Sequence, residues 1–506
     1  MFNRLFRYLA PVWLLLAASS PAAADWMRAE SDHFIVYSEG SEAQLRRQLT
    51  LLEDFHRLLQ TLTNVRTEDP RIRKLPVYLV RGHGQLSQVA RIGRTVAGFY
   101  AASPRGTAAF VDTEAGSGGG LVGQNEVLFH EYAHHFMMQH QGNVSYPPWY
   151  IEGFAEYLGT ARFSEDRIEV GRPSEMRARF LRSLTDWTPT DDVLFRGARS
   201  DPLEAARFYA QSWFMTHYFF SDNARRLQLI SYLNALAQGQ PQRPAFRASF
   251  GMGPNDLHRR LLGYARTPLA YQTFSRPSAA RAPQIAVTRL SNAAGEILLV
   301  HAGLALGGKP DASEMRRFRL AARSEDPFTL RALAEAEIVE GDRDAGERIV
   351  TRLLAAAPND PELLYIRAMR HIAAGRALEG AERLAQFRLA RPWLVRAHQA
   401  DPNHVPTLYR YAQSFAGEPN FTSVNNINIM LLAVELAPQV GEIRLAAGSM
   451  LLMRGEFEQA ERILQSLAST AHRGRISERA RELVQKAVDR NNEGVTVEFD
   501  ADEDED

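Results

Sequence analysis

A chain of 506 residues has room for two or three domains, each with its own core. Its 59 lysines and arginines balance 59 aspartates and glutamates, so no net field draws it to nucleic acid or to an anionic surface. The absence of cysteine excludes disulfides and lipidation at a cysteine, and 45% hydrophobic with 23% charged residues are the proportions of a soluble globular protein.

Residues 1–24 read as a secretion signal: Arg4 and Arg7 precede an apolar run over 8–18, and Ala22-Ala23-Ala24 supplies a small-residue cleavage site. The mature chain is expected to begin at Asp25, in a bacterial periplasm or outside the cell. The apolar run falls short of the ~20 residues a span requires, and no later stretch approaches that length, so no membrane span is expected after cleavage.

Residues 25–125 alternate strand and helix signals. HFIVYS (33–38) is a short β-rich run, and Ser41 opens a capping-box pattern ahead of Leu45, Leu49, Leu52, Leu59 and Leu62 at helical spacing. LPVYLV (75–80) predicts a buried strand, and VAGFYAA (96–102) with TAAFVD (107–112) predicts a hairpin around Ser103-Pro104-Arg105-Gly106. GSGGG (116–120) has no Gly-Lys-Ser/Thr after it, so it is no phosphate cradle; a flexible rim to the next element is the milder reading.

That next element is EVLFHEYAHHFMMQH (126–140). In His130-Glu131-Tyr132-Ala133-His134 the two histidines lie one helical turn apart on one face, where both imidazoles reach a single tetrahedral zinc. Glu131 stands beside them, placed to take a proton from water. Val127, Leu128, Phe129, Tyr132, Ala133 and Phe136 make this helix apolar nearly all round, hence buried, and unpaired histidines are costly there.

A third ligand has two candidates. His140 follows His130 at the metzincin spacing, but Met137 stands where that motif needs glycine to break the helix. In a continuing helix His140 lies ~9 Å beyond His134 and ~240° around the axis. The alternative is YPPWYIEGFAEYLGT (146–160), where a second helix begins near Trp149 and carries Glu152 and Glu156 on its polar face. Gly153 is expected to let this helix approach the motif helix closely. His135, a quarter turn from His134, reads as a polar contact rather than a ligand.

His-Glu-x-x-His, seventeen residues, then Glu152-Gly153-x-Ala155-Glu156-Tyr157 resembles the gluzincin zinc peptidases, of the loosely defined peptidase-MA-like kind. The resemblance implies an α+β zincin-like domain over residues 25–274, a small mixed sheet plus active-site helices. It implies one zinc per chain on His130, His134 and Glu152, with Glu131 as general base. Glu156, where relatives carry Asp, is implied to hold a histidine N–H from behind. An oxyanion donor is implied on a later helix, and in RFYAQSWFMTHYFF (207–220) Tyr209 is preferred to His217. An extended peptide is implied to pair with an edge strand, expected at residues 107–112.

SRPSAARAP (275–283) marks a linker, taken as residues 275–290. Beyond it the pattern is almost wholly helical and repeats: Asp326-Pro327, Leu330, Ala334, Ile338 and Gly341 recur as Asp360-Pro361, Leu364, Ala368, Ile372 and Gly375 with a period of 34, and Pro358 recurs as Pro392. This resembles the tetratricopeptide repeat and implies an all-α domain over residues 291–490. WLVRAHQADPNH (393–404) reads as an insertion, and residues 491–506 as a solvated, disordered acidic tail.

The expected function is therefore an exported zinc-dependent endopeptidase, with the repeats offering a concave surface to a peptide or protein substrate or to a protein partner. An aminopeptidase ranks lower because no G-x-M-E-N-like string precedes the motif helix. The alternative of a different class is a non-catalytic periplasmic scaffold that binds partners through its repeats; it has no need of a base at Glu131.

Overall fold

A computed structural model describes residues 25–499, apart from 66–68, 95, 115–122, 142–143, 145, 174, 183–186, 198–200, 277–282 and 470–473. The signal-like segment 1–24, GSGGG and residues 500–506 lie outside the described residues.

Nine strands are described: β1 (Met27–Glu30), β2 (Phe34–Ser38), β3 (Leu75–Val80), β4 (Gly98–Ser103), β5 (Gly106–Asp112), β6 (Arg162–Phe163), β7 (Arg167–Val170), β8 (Gln272–Ser275) and β9 (Ala286–Arg289). Six form one mixed sheet in the order β4-β5-β3-β2-β1-β9, and β6-β7-β8 form a small antiparallel one. β2, β3 and β5 run parallel, with Phe34 opposite Leu75 and Val77 opposite Ala109, while β4 and β1 are antiparallel to their neighbours.

Ten helices accompany these strands: α1 (Glu42–Thr63), the one-turn α2 (His83–Leu86), α3 (Gln124–Gln141), α4 (Pro148–Gly159), α5 (Glu175–Arg182), α6 (Thr190–Phe195), α7 (Pro202–Phe220), α8 (Asn223–Ala237), α9 (Gln242–Phe250) and α10 (Pro254–Tyr264). Eleven more follow β9: α11 (Asn292–Ala305), α12 (Ala312–Ala321), α13 (Pro327–Glu340), α14 (Arg343–Ala356), α15 (Pro361–Arg376), α16 (Gly380–Ala400), α17 (Val405–Gln413), α18 (Val424–Leu436), α19 (Gly441–Arg454), α20 (Phe457–Ala468) and α21 (Arg475–Val488). The chain is thus mixed α/β in its first half and all-helical in its second, an arrangement compatible with helical repeats.

Strand alternation explains how the large sheet is covered. Phe34, Val36, Val77, Leu79, Ala109 and Val111 point to the face shared with Leu45, Leu49, Leu52 and Phe55 of α1 and Phe129 and Ala133 of α3. On the other face Tyr37, Tyr78, Phe110 and Phe99 form a ladder of stacked rings, centroids 4.8 to 4.9 Å apart, under Leu298, Leu299 and Ala302 of α11. LPVYLV is apolar throughout because both its faces are covered.

The linker expectation is corrected by this arrangement. Within residues 275–290, Ala286–Arg289 are β9, paired antiparallel with β1, so the chain adds an edge strand before α11 covers the sheet. Its residues are mostly exposed, and an edge strand with one inward apolar residue, Val287, leaves little trace in sequence. A second correction concerns residues 107–112. They form most of β5, which is bonded on both sides; the edge is β4.

In the helical half Asp326 and Asp360 each cap a helix, accepting backbone N–H bonds with Pro at the first helical position, which is why Asp-Pro recurs. Pro392 does not end a unit as expected but lies inside α16, which continues through the supposed insertion to Ala400. Leu394 and Ala397 are fully buried beyond it, and that packing offsets the roughly 3 kcal/mol of an interior proline. Within the terminal segment the apolar positions depart from the expected solvated tail: Val495 is buried, and the Phe499 ring lies 5.4 Å from Tyr409 and 6.0 Å from Phe421, while the residues between are mostly exposed. The apolar residues spaced along 495–499 outweigh the local charge. Between the two halves, β4 borders a cavity of about 970 Å³ whose far wall includes Arg376, Tyr409, Glu442 and Arg475.

Candidate metal centre

α3 runs unbroken from Gln124 to Gln141, through Met137. His140 therefore leaves the motif face: its ring packs on Phe136, centroids 4.4 Å apart, and lines a separate cavity of about 130 Å³ with His33, His56 and His135. His135 makes the polar contact expected of it, with Tyr100 Oη 2.8 Å from its Nδ1. Burial, then the charges of His140 and His56, push its pKa down to about 3.

α4 starts with Pro148 at its first turn and is buried along most of its length. Its glycines set the approach of its neighbours, though not as expected. A Cβ on Gly153 would collide with the Ser212 carbonyl and the Thr216 hydroxyl of α7, so Gly153 serves the α4–α7 crossing. Contact with α3 falls at Gly159, whose Cβ would stand 3.1 Å from the Glu126 carbonyl and 3.5 Å from His130 Cβ.

Held between α3 and α7, α4 presents Glu152 with no exposed surface, opposite both motif histidines. His130 Nε2 and His134 Nε2 are 3.0 Å apart, and Glu152 Oε2 is 3.7 Å from the first and 3.3 Å from the second. Tetrahedral zinc with bonds of 2.0–2.1 Å spaces its ligands by about 3.3 Å. Three donor atoms on a triangle of that size, two imidazole nitrogens and a buried carboxylate oxygen, fit zinc in distance and in chemistry. Among the described residues no other trio of His, Cys, Asp or Glu converges so.

Electrostatics agree with a site built for a cation. Burial alone lowers the His134 pKa, but Glu152, then Glu131 and Glu156, outweigh it and the net shift is upward. Glu131 is within electrostatic reach of His134, Tyr100 and Tyr209. Tyr209 is held well above its ordinary value, first by burial and then by Glu152 and Glu156, so its phenol stays protonated and able to donate. His217 is drawn elsewhere: its Nδ1 lies 2.9 Å from Tyr264 Oη, and its ring packs against Trp213 and Tyr157.

Glu156 stands behind His130, Oε1 3.5 Å from Nδ1. Its main partner was not visible in the sequence. Arg177 of α5 donates Nε–H to Glu156 Oε2 at 2.7 Å and Nη2–H to Oε1, and its guanidinium lies 5.3 Å from the Tyr209 ring centroid. Twenty-one residues and a separate helix divide Arg177 from Glu156, and no local pattern marks this arginine among its neighbours Arg172, Arg179 and Arg182.

Residues 126–243 match a family described as a protein of unknown function (DUF1570), a stretch that contains all the residues of this centre. No curated protein matches the chain. A solved structure of a thermophilic TPR protein from Thermus thermophilus is similar at 20% identity and a TM-score of 0.32, over 37% of this chain and 97% of that one.

Proposed function

We propose that the chain is an exported zinc-dependent endopeptidase of gluzincin type. The observation that carries this reading is the triangle of His130 Nε2, His134 Nε2 and Glu152 Oε2, with edges of 3.0, 3.7 and 3.3 Å, on a carboxylate shut away from solvent. Zinc held by these three ligands supplies a Lewis acid for a carbonyl and lowers the pKa of a water to about 7.

The remaining work falls to the chain's own side chains. Glu131 takes the proton of the attacking water and passes it to the departing amine. Tyr209, kept as a phenol, donates a hydrogen bond to the carbonyl oxygen as negative charge gathers there. Glu156, with Oε1 3.5 Å from His130 Nδ1, attracts that side of the ring and keeps Nε2 turned toward the ligand site. The peptide lies extended along the edge strand β4 rather than β5, and the helices recruit the substrate or a protein partner as tetratricopeptide-like repeats do.

Glu131→Gln tests the assignment. The variant is expected to bind zinc as the parent does and to lose a factor of about 10²–10⁴ in hydrolysis of an unfolded fluorescence-quenched protein. Unchanged hydrolysis would remove Glu131 from the mechanism.

A further inference from the structure

Glu156 is one methylene longer than the aspartate expected behind the histidine, so on geometry alone it is the less well-fixed group. Its carboxylate could rotate about the extra bond and present either oxygen, or neither, to His130. Arg177 removes that freedom. Its Nε and Nη2 engage Oε2 and Oε1 separately, a fork meeting a fork, which fixes the carboxylate plane with Oε1 facing His130 Nδ1 at 3.5 Å. The same guanidinium lies over the Tyr209 ring. His134 has no such support: among the described residues its Nδ1 is buried without a hydrogen-bond partner, so orientation of the pair rests on the His130 side.

We propose that Arg177 is a positioning residue for the metal centre, acting through Glu156 on His130 and through its ring contact on Tyr209. This rests on the zinc reading. The line Arg177–Glu156–His130 sets how firmly Nε2 is aimed, and the fork makes up for the length of the glutamate.

The test is zinc affinity, measured by chelator competition on the full chain, for the parent, Arg177→Gln, Arg177→Lys and Glu152→Ala. Arg177→Gln is expected to weaken zinc binding 10- to 100-fold, in the range typical of a lost outer partner. Arg177→Lys keeps the charge but not the fork and is expected to fall nearer to Gln than to the parent. Cobalt-loaded Arg177→Gln is expected to show an altered visible spectrum. If Arg177→Gln does not fold, Arg177→Lys carries the same comparison. Zinc binding unchanged in the Arg177 variants but lost in Glu152→Ala overturns the positioning role and leaves the zinc reading intact, even if the variants melt lower without metal. A parent that takes up no zinc overturns both.

Discussion

Tyr209 and His217 sit eight residues apart on α7, close to two full turns, yet eight residues at 100° each leave them about 80° apart. That angle separates them: Tyr209 meets the charges of Glu152 and Glu156, whereas His217 is enclosed by Trp213, Tyr157 and Tyr264. Burial first, with Arg225 adding to it, pushes the His217 pKa down to about 4 against an ordinary 6.5. A base with a depressed folded pKa contributes stability that is whole above 6.5 and is lost as pH falls toward 4, because only the unfolded chain takes up the proton. Between pH 6.5 and 5 this amounts to about 2 kcal/mol. His217→Gln is expected to lose correspondingly less stability from pH 7 to pH 5 by urea unfolding, and an identical loss in parent and variant would show that the proton goes elsewhere. The residues of the centre differed in legibility for a similar reason. His130, Glu131 and His134 are bound by the period of one helix and stand out; Arg177 meets Glu156 only because α5 and α4 both pack on α7.

At the scale of elements, α4 is wedged between α3 and α7, and its two glycines set both crossings. Gly153 faces backbone, the Ser212 carbonyl, which cannot swing aside as a side-chain tip can. Gly153→Ala is therefore expected to cost about 1–3 kcal/mol or more and to weaken zinc binding by displacing Glu152. Gly159→Ala, whose nearest neighbour is at 3.1 Å, is expected to be milder in both. Equal losses by thermal melting and metal titration would contradict this ordering. That a glycine beside Glu152 serves a close approach was legible; which helix approaches was not, since neighbours in space are set by the whole packing. The sheet repeats the lesson. Two β-rich runs flanking Ser103-Pro104-Arg105-Gly106 marked the hairpin of β4 and β5, but strand order follows from the parallel pairing of β5 with β3, which no residue pattern within either strand encodes. α16 passing through Pro392 shows packing overriding a local signal that points the other way.

Across the whole molecule the two halves are joined through the sheet. β9 lies in the expected linker and α11 opens the helical half, yet one extends the sheet and the other covers its ring ladder. Arg73 pairs with Asp401 and, at 3.5 Å, with Glu362, and Arg71 pairs with Glu435, tying the loop before β3 to the helices. A chain ending at residue 275 bares Tyr78, Val80 and Phe110 and is expected to aggregate or bind a hydrophobic dye, whereas one ending after α11 keeps that face covered. A soluble monomer of the shorter form that binds no dye would contradict that view of the sheet. The central proposal is that His130, His134 and Glu152, whose ligand atoms lie close enough to share one ion, hold a metal. The direct measurement is zinc content per chain for residues 25–506, beside Glu152→Ala and His140→Ala purified in the same way. The account predicts one zinc in the parent and in His140→Ala and none in Glu152→Ala; loss with His140→Ala and retention with Glu152→Ala, or a parent that stays metal-free when zinc is supplied, would contradict it.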